Sequence, residues 1–216
     1  MTVLFSSQLC TGLVLAGGAG QRMGGQDKGL LPWRDGTLAG HAAARLGAQG
    51  LAVWLSTNRH ADAYAQLGLP LVADRRSDFP GPLAALEAAL HLVTTPWLLA
   101  VPCDSPFFPA DLGTRLWAAV HPEADSPMPL ARAAYVRCGV QTHPVFCLIS
   151  RTLAEPLTRF LDDGGRRVLD WWQAVGALAV NLGTAAEPAF ANANTPEELQ
   201  RLRDSDPGPV DTACSS

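Results

Sequence analysis

Short, mostly apolar runs alternate along this chain with alanine- and leucine-rich amphipathic stretches, and that alternation restricts the fold more than any other feature. Runs at 12–16, 51–57, 71–73 and 97–101 are too short for helices and lack the polar alternation of a half-exposed strand. Stretches at 38–48, 83–93 and 109–120 carry helical spacing, the last opened by Pro109. Strands that are apolar on both sides belong to a sheet covered on both faces, so the pattern predicts an α/β chain. The expected architecture is a Rossmann-like three-layer α/β/α sandwich with a mostly parallel central sheet. Strands at 130–137 and 144–150 meet around Gly139, helices at 153–161 and 168–175 flank Asp163-Gly164-Gly165, and a last strand is expected at 178–181. Thr195-Pro196-Glu197-Glu198 reads as a capping box with proline in the first turn, which starts a terminal helix running to about Arg203.

With 48% hydrophobic residues among 216, the chain can fill one core, and a single domain is expected over 1–204. Its N-terminal half spans about 12–110 and its C-terminal half about 125–204, while the proline-bearing stretch His121–Pro129 reads as a surface connection. The end of the chain, 205–216, has nothing to bury and is expected to be disordered.

The segment between Leu13 and Leu31 carries the clearest chemistry. An apolar strand runs into glycines at 17, 18, 20, 24 and 25, interrupted by Arg22 and followed by Lys28. Glycines let backbone N–H groups turn toward an anion at close range, and the two cations add charge, so the loop suits a polyphosphate. It is neither of the two commonest phosphate loops. Lys28 lies between Asp27 and Gly29 rather than before Ser or Thr, and Gly18-Ala19-Gly20-Gln21-Arg22 ends in Met23 rather than glycine. No acidic residue closes the strand at 51–57 to take a ribose.

In an open α/β sheet, ligands gather beyond the carboxyl ends of the strands. Leu15, Ala16 and the loop, then Ser56, Asp74 and Asp104, all fall at such ends. Asp104 stands between Pro102 and Pro106, a rigid carboxylate suited to Mg²⁺, which takes few protein oxygens and completes its shell with water and phosphate. Asp74, or carbonyls around Gly81 and Pro82, can accept N–H groups of a ligand at that rim. A phosphate-monoester acceptor is already anionic near neutral pH, and the sequence offers no evident general base. Such a site works by positioning and charge neutralisation: Arg22 and Lys28 on the β- and γ-phosphates, Mg²⁺ on Asp104 toward the α-phosphate.

A net charge of −4 argues against nonspecific nucleic-acid binding, and no apolar run reaches the length of a membrane span. A cytoplasmic protein with reduced thiols is expected, since the five cysteines form no CxxC pair. Cys103 reads as a small buried strand-end residue rather than a nucleophile, and the histidines lack the HxxxH spacing of a zinc site.

Leu15 to Leu31, as LAGGxxxRMGGxDKGLL, resembles the signature of the molybdenum cofactor guanylyltransferases. Further landmarks follow in order: Asn58-Arg59-His60, Asp78-Phe79-Pro80-Gly81-Pro82-Leu83-Ala84, Pro102-Cys103-Asp104-Ser105-Pro106, His143-Pro144, Arg166-Arg167-Val168 and Asn192-Ala193-Asn194-Thr195-Pro196-Glu197-Glu198-Leu199. The resemblance covers about Gly12 to Leu202 and implies a fold of the nucleotide-diphospho-sugar-transferase type. It implies Mg²⁺-dependent transfer of GMP from GTP to molybdenum-bound molybdopterin, with transient contact to a molybdopterin insertase and to acceptor molybdoenzymes or their chaperones. Arg22, Lys28 and Asp104 are the implied catalytic residues. Leu15, Ala16, Gly17, Gly18, Ser56, Asp74, Gly81 and Pro82 are implied on the nucleotide side; His143, Arg166, Asn192 and Asn194 on the acceptor side, the last two just before a helix start whose N–H groups can meet a phosphate. Ser56 replaces the first asparagine of the family's Asn-x-Asn-Arg, which leaves that contact open. The alternatives are a cytidylyltransferase for the same acceptor, a sugar-phosphate nucleotidyltransferase, or a non-catalytic nucleotide-binding module in cofactor delivery.

Overall fold

The computed structural model describes residues 5, 8–16, 27–76, 81–122 and 129–205. The glycine loop with Gly17, Gly18 and Arg22, the landmark residues Asp78 to Pro80, and the expected disorder of 206–216 lie outside the described residues.

The strands are β1 (Cys10–Leu15), β2 (Pro32–Trp33), β3 (Gly36–Thr37), β4 (Ala52–Ser56), β5 (Leu71–Val72), β6 (Trp97–Pro102), β7 (Ala133–Cys138), β8 (Gln141–Ser150) and β9 (Leu178–Asn181). The helices are α1 (Leu38–Gly47), α2 (Ala61–Ala65), α3 (Pro82–Leu92), α4 (Leu112–Val120), α5 (Ala154–Asp162), α6 (Val168–Ala174) and α7 (Pro196–Asp204). Seven strands form one sheet in the order β5-β4-β1-β6-β8-β7-β9, in which β8 alone pairs antiparallel with its neighbours. From β1 the chain moves outward to β4 and β5, then crosses back to place β6 on the other side of β1. That reversal opens a crevice at the carboxyl ends of β1 and β6.

Alternation along the central strands explains the three layers. Leu13 and Leu15 of β1, with Leu98 and Ala100 of β6, pack under α3, α5 and α6. Val14, with Leu99 and Val101, packs under α1 and α4. A predominantly apolar run is needed because both faces are covered.

Several elements begin elsewhere than the sequence suggests. Helix α4 starts at Leu112, three residues beyond Pro109, with Asp111 at its N-cap position. β7 begins at Ala133 rather than 130, and Leu130 is exposed. β8 begins at Gln141 rather than Pro144, because the ladder with β7 jumps from His143 opposite Val136 to Cys147 opposite Tyr135. The bulge takes up 144–146, so the proline, which has no N–H, sits where the ladder is interrupted. The β2–β3 hairpin, the short α2 and a 3₁₀ segment over Thr184–Phe190 were not foreseen.

The hairpin matters for the site. Trp33 of β2 forms a third small core with Leu38, Ala193, Leu199 and Leu202. The C-terminal helix α7 is thereby docked beside the turn that follows the glycine loop. Its start is fixed by the foreseen capping box: Thr195 accepts from the N–H of Glu198, and the Glu198 carboxylate reaches back to the N–H of Thr195.

Candidate active site

The carboxyl ends of four parallel strands are flush. Leu15 pairs with Ser56 on one side and Pro102 on the other, and Ser56 pairs with Val72. Two more backbone bonds extend the row, Ala16 N–H to the Ser56 carbonyl and Cys103 N–H to the Leu15 carbonyl, at 2.9 and 3.1 Å. Whatever follows each strand is therefore delivered to one rim.

Lys28, Asp104 and Asn194 converge there from three distant parts of the chain. The Lys28 ammonium lies 3.2 Å from Oδ2 of Asp104 and donates to Oδ1 of Asn194 at 2.6 Å. Both ends of the ion pair keep some access to solvent, 25% for Lys28 and 16% for Asp104. A triphosphate can therefore compete for the ammonium, since it offers more negative charge than one carboxylate. The Asp104 carbonyl accepts from the N–H of Ala193 at 2.8 Å, and Ser105 Oγ meets Asn192 Oδ1 at 2.5 Å. Three contacts thus fasten the stretch before α7 to Asp104, Ser105 and Lys28.

The N–H groups of Asn194, Thr195 and Glu198 at this helix start are not free for a phosphate. Those of Asn194 and Thr195 both go to Oε2 of Glu198, at 2.7 and 3.2 Å, and that of Glu198 goes to Thr195. Glu198 was visible as a cap residue, but its second bond, to Asn194, depends on the turn geometry.

Past the ends of β4 and β5, Asn58 and Asp74 bond reciprocally. Asn58 Nδ2 donates to Asp74 Oδ2 at 2.6 Å, and the Asp74 N–H donates to Asn58 Oδ1 at 2.8 Å. The other oxygen, Oδ1, is buried with no partner among the described residues. Burial raises the Asp74 carboxyl above its ordinary value, an effect that the Asn58 bond partly offsets. An oriented carboxylate with one unused oxygen is an acceptor looking for a donor. Ser56 is buried at the end of β4, and Gly81 and Pro82 form the N-terminal start of α3.

An ion pair that the sequence did not reveal joins the stretch after β5 to α3 and α5. Arg76 clamps the buried Glu87 of α3 with two 2.7 Å bonds and also reaches Asp162 of α5. The pair becomes legible only when β5 and α3 are placed side by side.

The remaining expected residues make their contacts elsewhere. His143 sits at the β8 bulge, stacked on Phe190 at 5.0 Å between ring centroids, with Nε2 buried and unpartnered among the described residues. Burial lowers its pKa, which keeps the imidazole neutral at physiological pH. Arg166 donates to the carbonyls of Leu161 and Gly165 at the end of α5. Cys103 is buried, and burial with the nearby Asp104 pushes its thiol well above the usual range, so it is no nucleophile at neutral pH. Among the described residues no three His, Cys, Asp or Glu side chains gather as a metal cage, and no helix is long and apolar enough to cross a membrane.

Known proteins share both the sequence and the fold of this chain. The profile of the MobA-like NTP transferase domain matches residues 12–180. A molybdenum cofactor guanylyltransferase from Cupriavidus metallidurans is 45% identical over 190 residues, which cover 88% of this chain and 92% of the relative. The crystal structure of molybdopterin-guanine dinucleotide biosynthesis protein A from Archaeoglobus fulgidus superimposes with a TM-score of 0.70 at 18% identity, covering 90% of this chain and 97% of the other. CMP:2-keto-3-deoxy-manno-octonic acid synthetase, solved with CTP, gives the same TM-score of 0.70 at 13% identity, over 91% of this chain and 98% of its own. At such identities the two structures speak for the fold, which is that of nucleotidyltransferases of the nucleotide-diphospho-sugar-transferase type. The 45% identity speaks for the family: the chain belongs to the MobA-like NTP transferases, among the molybdenum cofactor guanylyltransferases.

Proposed function

We propose that this protein transfers GMP from GTP to the terminal phosphate of molybdenum-bound molybdopterin in the cytoplasm, releasing pyrophosphate and forming molybdopterin guanine dinucleotide. An acceptor phosphate oxygen attacks the α-phosphorus, the bond to the β-phosphate oxygen breaks, and pyrophosphate carries the charge away. The acceptor is already anionic, so no side chain needs to remove a proton. The observation that carries the reading is the meeting of Lys28, Asp104 and Asn194 in the crevice between β1 and β6.

In this reading Lys28 leaves Asp104 for the β- and γ-phosphates, joined by Arg22 and the N–H groups of the loop beginning at Leu15, Ala16, Gly17 and Gly18. Asp74 accepts from guanine through Oδ1, with Ser56, Gly81 and Pro82 shaping the same side. Asn192, Asn194, His143 and Arg166 belong to the acceptor half. Asp104 suits Mg²⁺: a single partly exposed carboxylate oxygen donor is what a cation that keeps water and phosphate in its shell requires. When bound, the metal neutralises charge on the phosphates. The product is handed to molybdoenzymes or their chaperones, after transient contact with the insertase that supplies the acceptor.

Pyrophosphate release from GTP, CTP and UTP with molybdenum-loaded molybdopterin tests the reading. Release with GTP supports it. Release with CTP alone makes the protein a cytidylyltransferase, and GTP binding without release makes it a delivery module.

A further inference from the structure

Lys28 is held in place from behind by a residue that carries no motif. Tyr64, on the short helix α2, is completely buried, and its hydroxyl donates to Oδ1 of Asp27 at 2.5 Å. The same oxygen accepts the N–H of Gly29 at 3.1 Å, so Asp27 caps the single 3₁₀ turn on which Lys28 sits. Its other oxygen lies 3.1 Å from Nδ1 of His60. With both oxygens engaged and 9% of the side chain exposed, Asp27 is bound into the scaffold. Gly29 is required by closeness rather than by backbone angle, since a Cβ there would stand 2.3 Å from the Tyr64 oxygen. His60 is itself held in the left-handed region, at φ 53°, where it precedes α2. Such conformations persist only where the surroundings enforce them.

A lysine on a mobile loop must lose the freedom of four side-chain torsions and of its backbone to meet a ligand, whereas one on a fixed turn loses only the former. Burial and the bond to Asp27 push the Tyr64 phenol far above its usual range, so it stays a donor throughout the physiological range. We propose that Tyr64, acting through Asp27 and assisted by His60, is a positioning residue that presents the Lys28 ammonium to the triphosphate. The inference rests on the reading of Lys28 as a triphosphate-holding cation.

A double-mutant cycle tests it. Tyr64→Phe removes one oxygen and keeps the ring, and it should weaken GTP affinity and lower kcat/KM for GTP by about tenfold. The same substitution in a Lys28→Ala background should cause no further loss, because there is no ammonium left to position. His60→Ala should give a loss of about two- to threefold, again absent in the Lys28→Ala background. Should Tyr64→Phe not fold, the His60→Ala cycle decides alone. Parental GTP affinity and rate in Tyr64→Phe, or an equal factor of loss in both backgrounds, would overturn the inference. Unchanged GTP binding in Lys28→Ala itself would instead overturn the reading beneath it.

Discussion

Lys28 and Asp104 neutralise each other across the crevice, 3.2 Å apart in space and 76 residues apart in sequence. The pair joins the turn after the glycine loop to the end of β6. If the ammonium serves the triphosphate, Lys28→Ala should weaken GTP binding by at least about tenfold and lower transfer by more. Calorimetric titration with GTP and a pyrophosphate assay measure the two separately. Lys28→Arg should not restore activity, because a planar fork does not replace a compact ammonium that must reach the phosphates from beside Asn194.

Asp74 gives two predictions, one for base selection and one for stability. Asp74→Asn should erode discrimination between GTP and ATP, since an amide offers a donor where guanine needs an acceptor. The stability effect has the opposite sign. Burial raises the folded carboxyl pKa above the ordinary 3.8, so the folded state is the better proton binder. The resulting cost is absent below 3.8 and is fully present once pH has risen through the raised value. Asp74→Asn should therefore be more stable than the parent at neutral pH, with the gain vanishing as pH falls to 3.8, as followed by urea unfolding.

The meeting of Lys28 and Asp104 at the strand ends was legible in the sequence. Asp104 and Lys28 stood out because a strand end and a glycine-rich turn have sequence signatures of their own. The parallel sheet was legible because strands covered on both faces lose their polar alternation. Tyr64, Arg76 and Glu87 stayed hidden for a common reason: each acts through a partner on another element, at a separation that no local pattern encodes. Pro144 misled the start of β8, since a bulge that tolerates proline is set by pairing with β7. The N–H groups before α7 looked available because the capping box predicts one bond to Glu198, whereas that carboxylate takes two.

The Arg76–Glu87 clamp gives a prediction independent of catalysis. Arg76→Met leaves a buried carboxylate without its partner and should cost about 3 to 5 kcal/mol in urea unfolding at neutral pH. The Arg76 bonds lower the Glu87 pKa below its ordinary 4.5, so the pair's contribution is complete above 4.5 and is lost as pH falls through the lowered folded value. Glu87→Gln should be less harmful than Arg76→Met and should lack that acid-dependent loss.

Comparing the parent protein with Asp104→Asn, supplied with GTP, Mg²⁺ and molybdenum-loaded molybdopterin, tests the whole scheme most directly. The parent should release pyrophosphate from GTP, and the variant should lose at least about a hundredfold in rate while still binding GTP. Undiminished transfer by Asp104→Asn, or no pyrophosphate from the parent beside an active control enzyme, would contradict guanylyl transfer at this crevice.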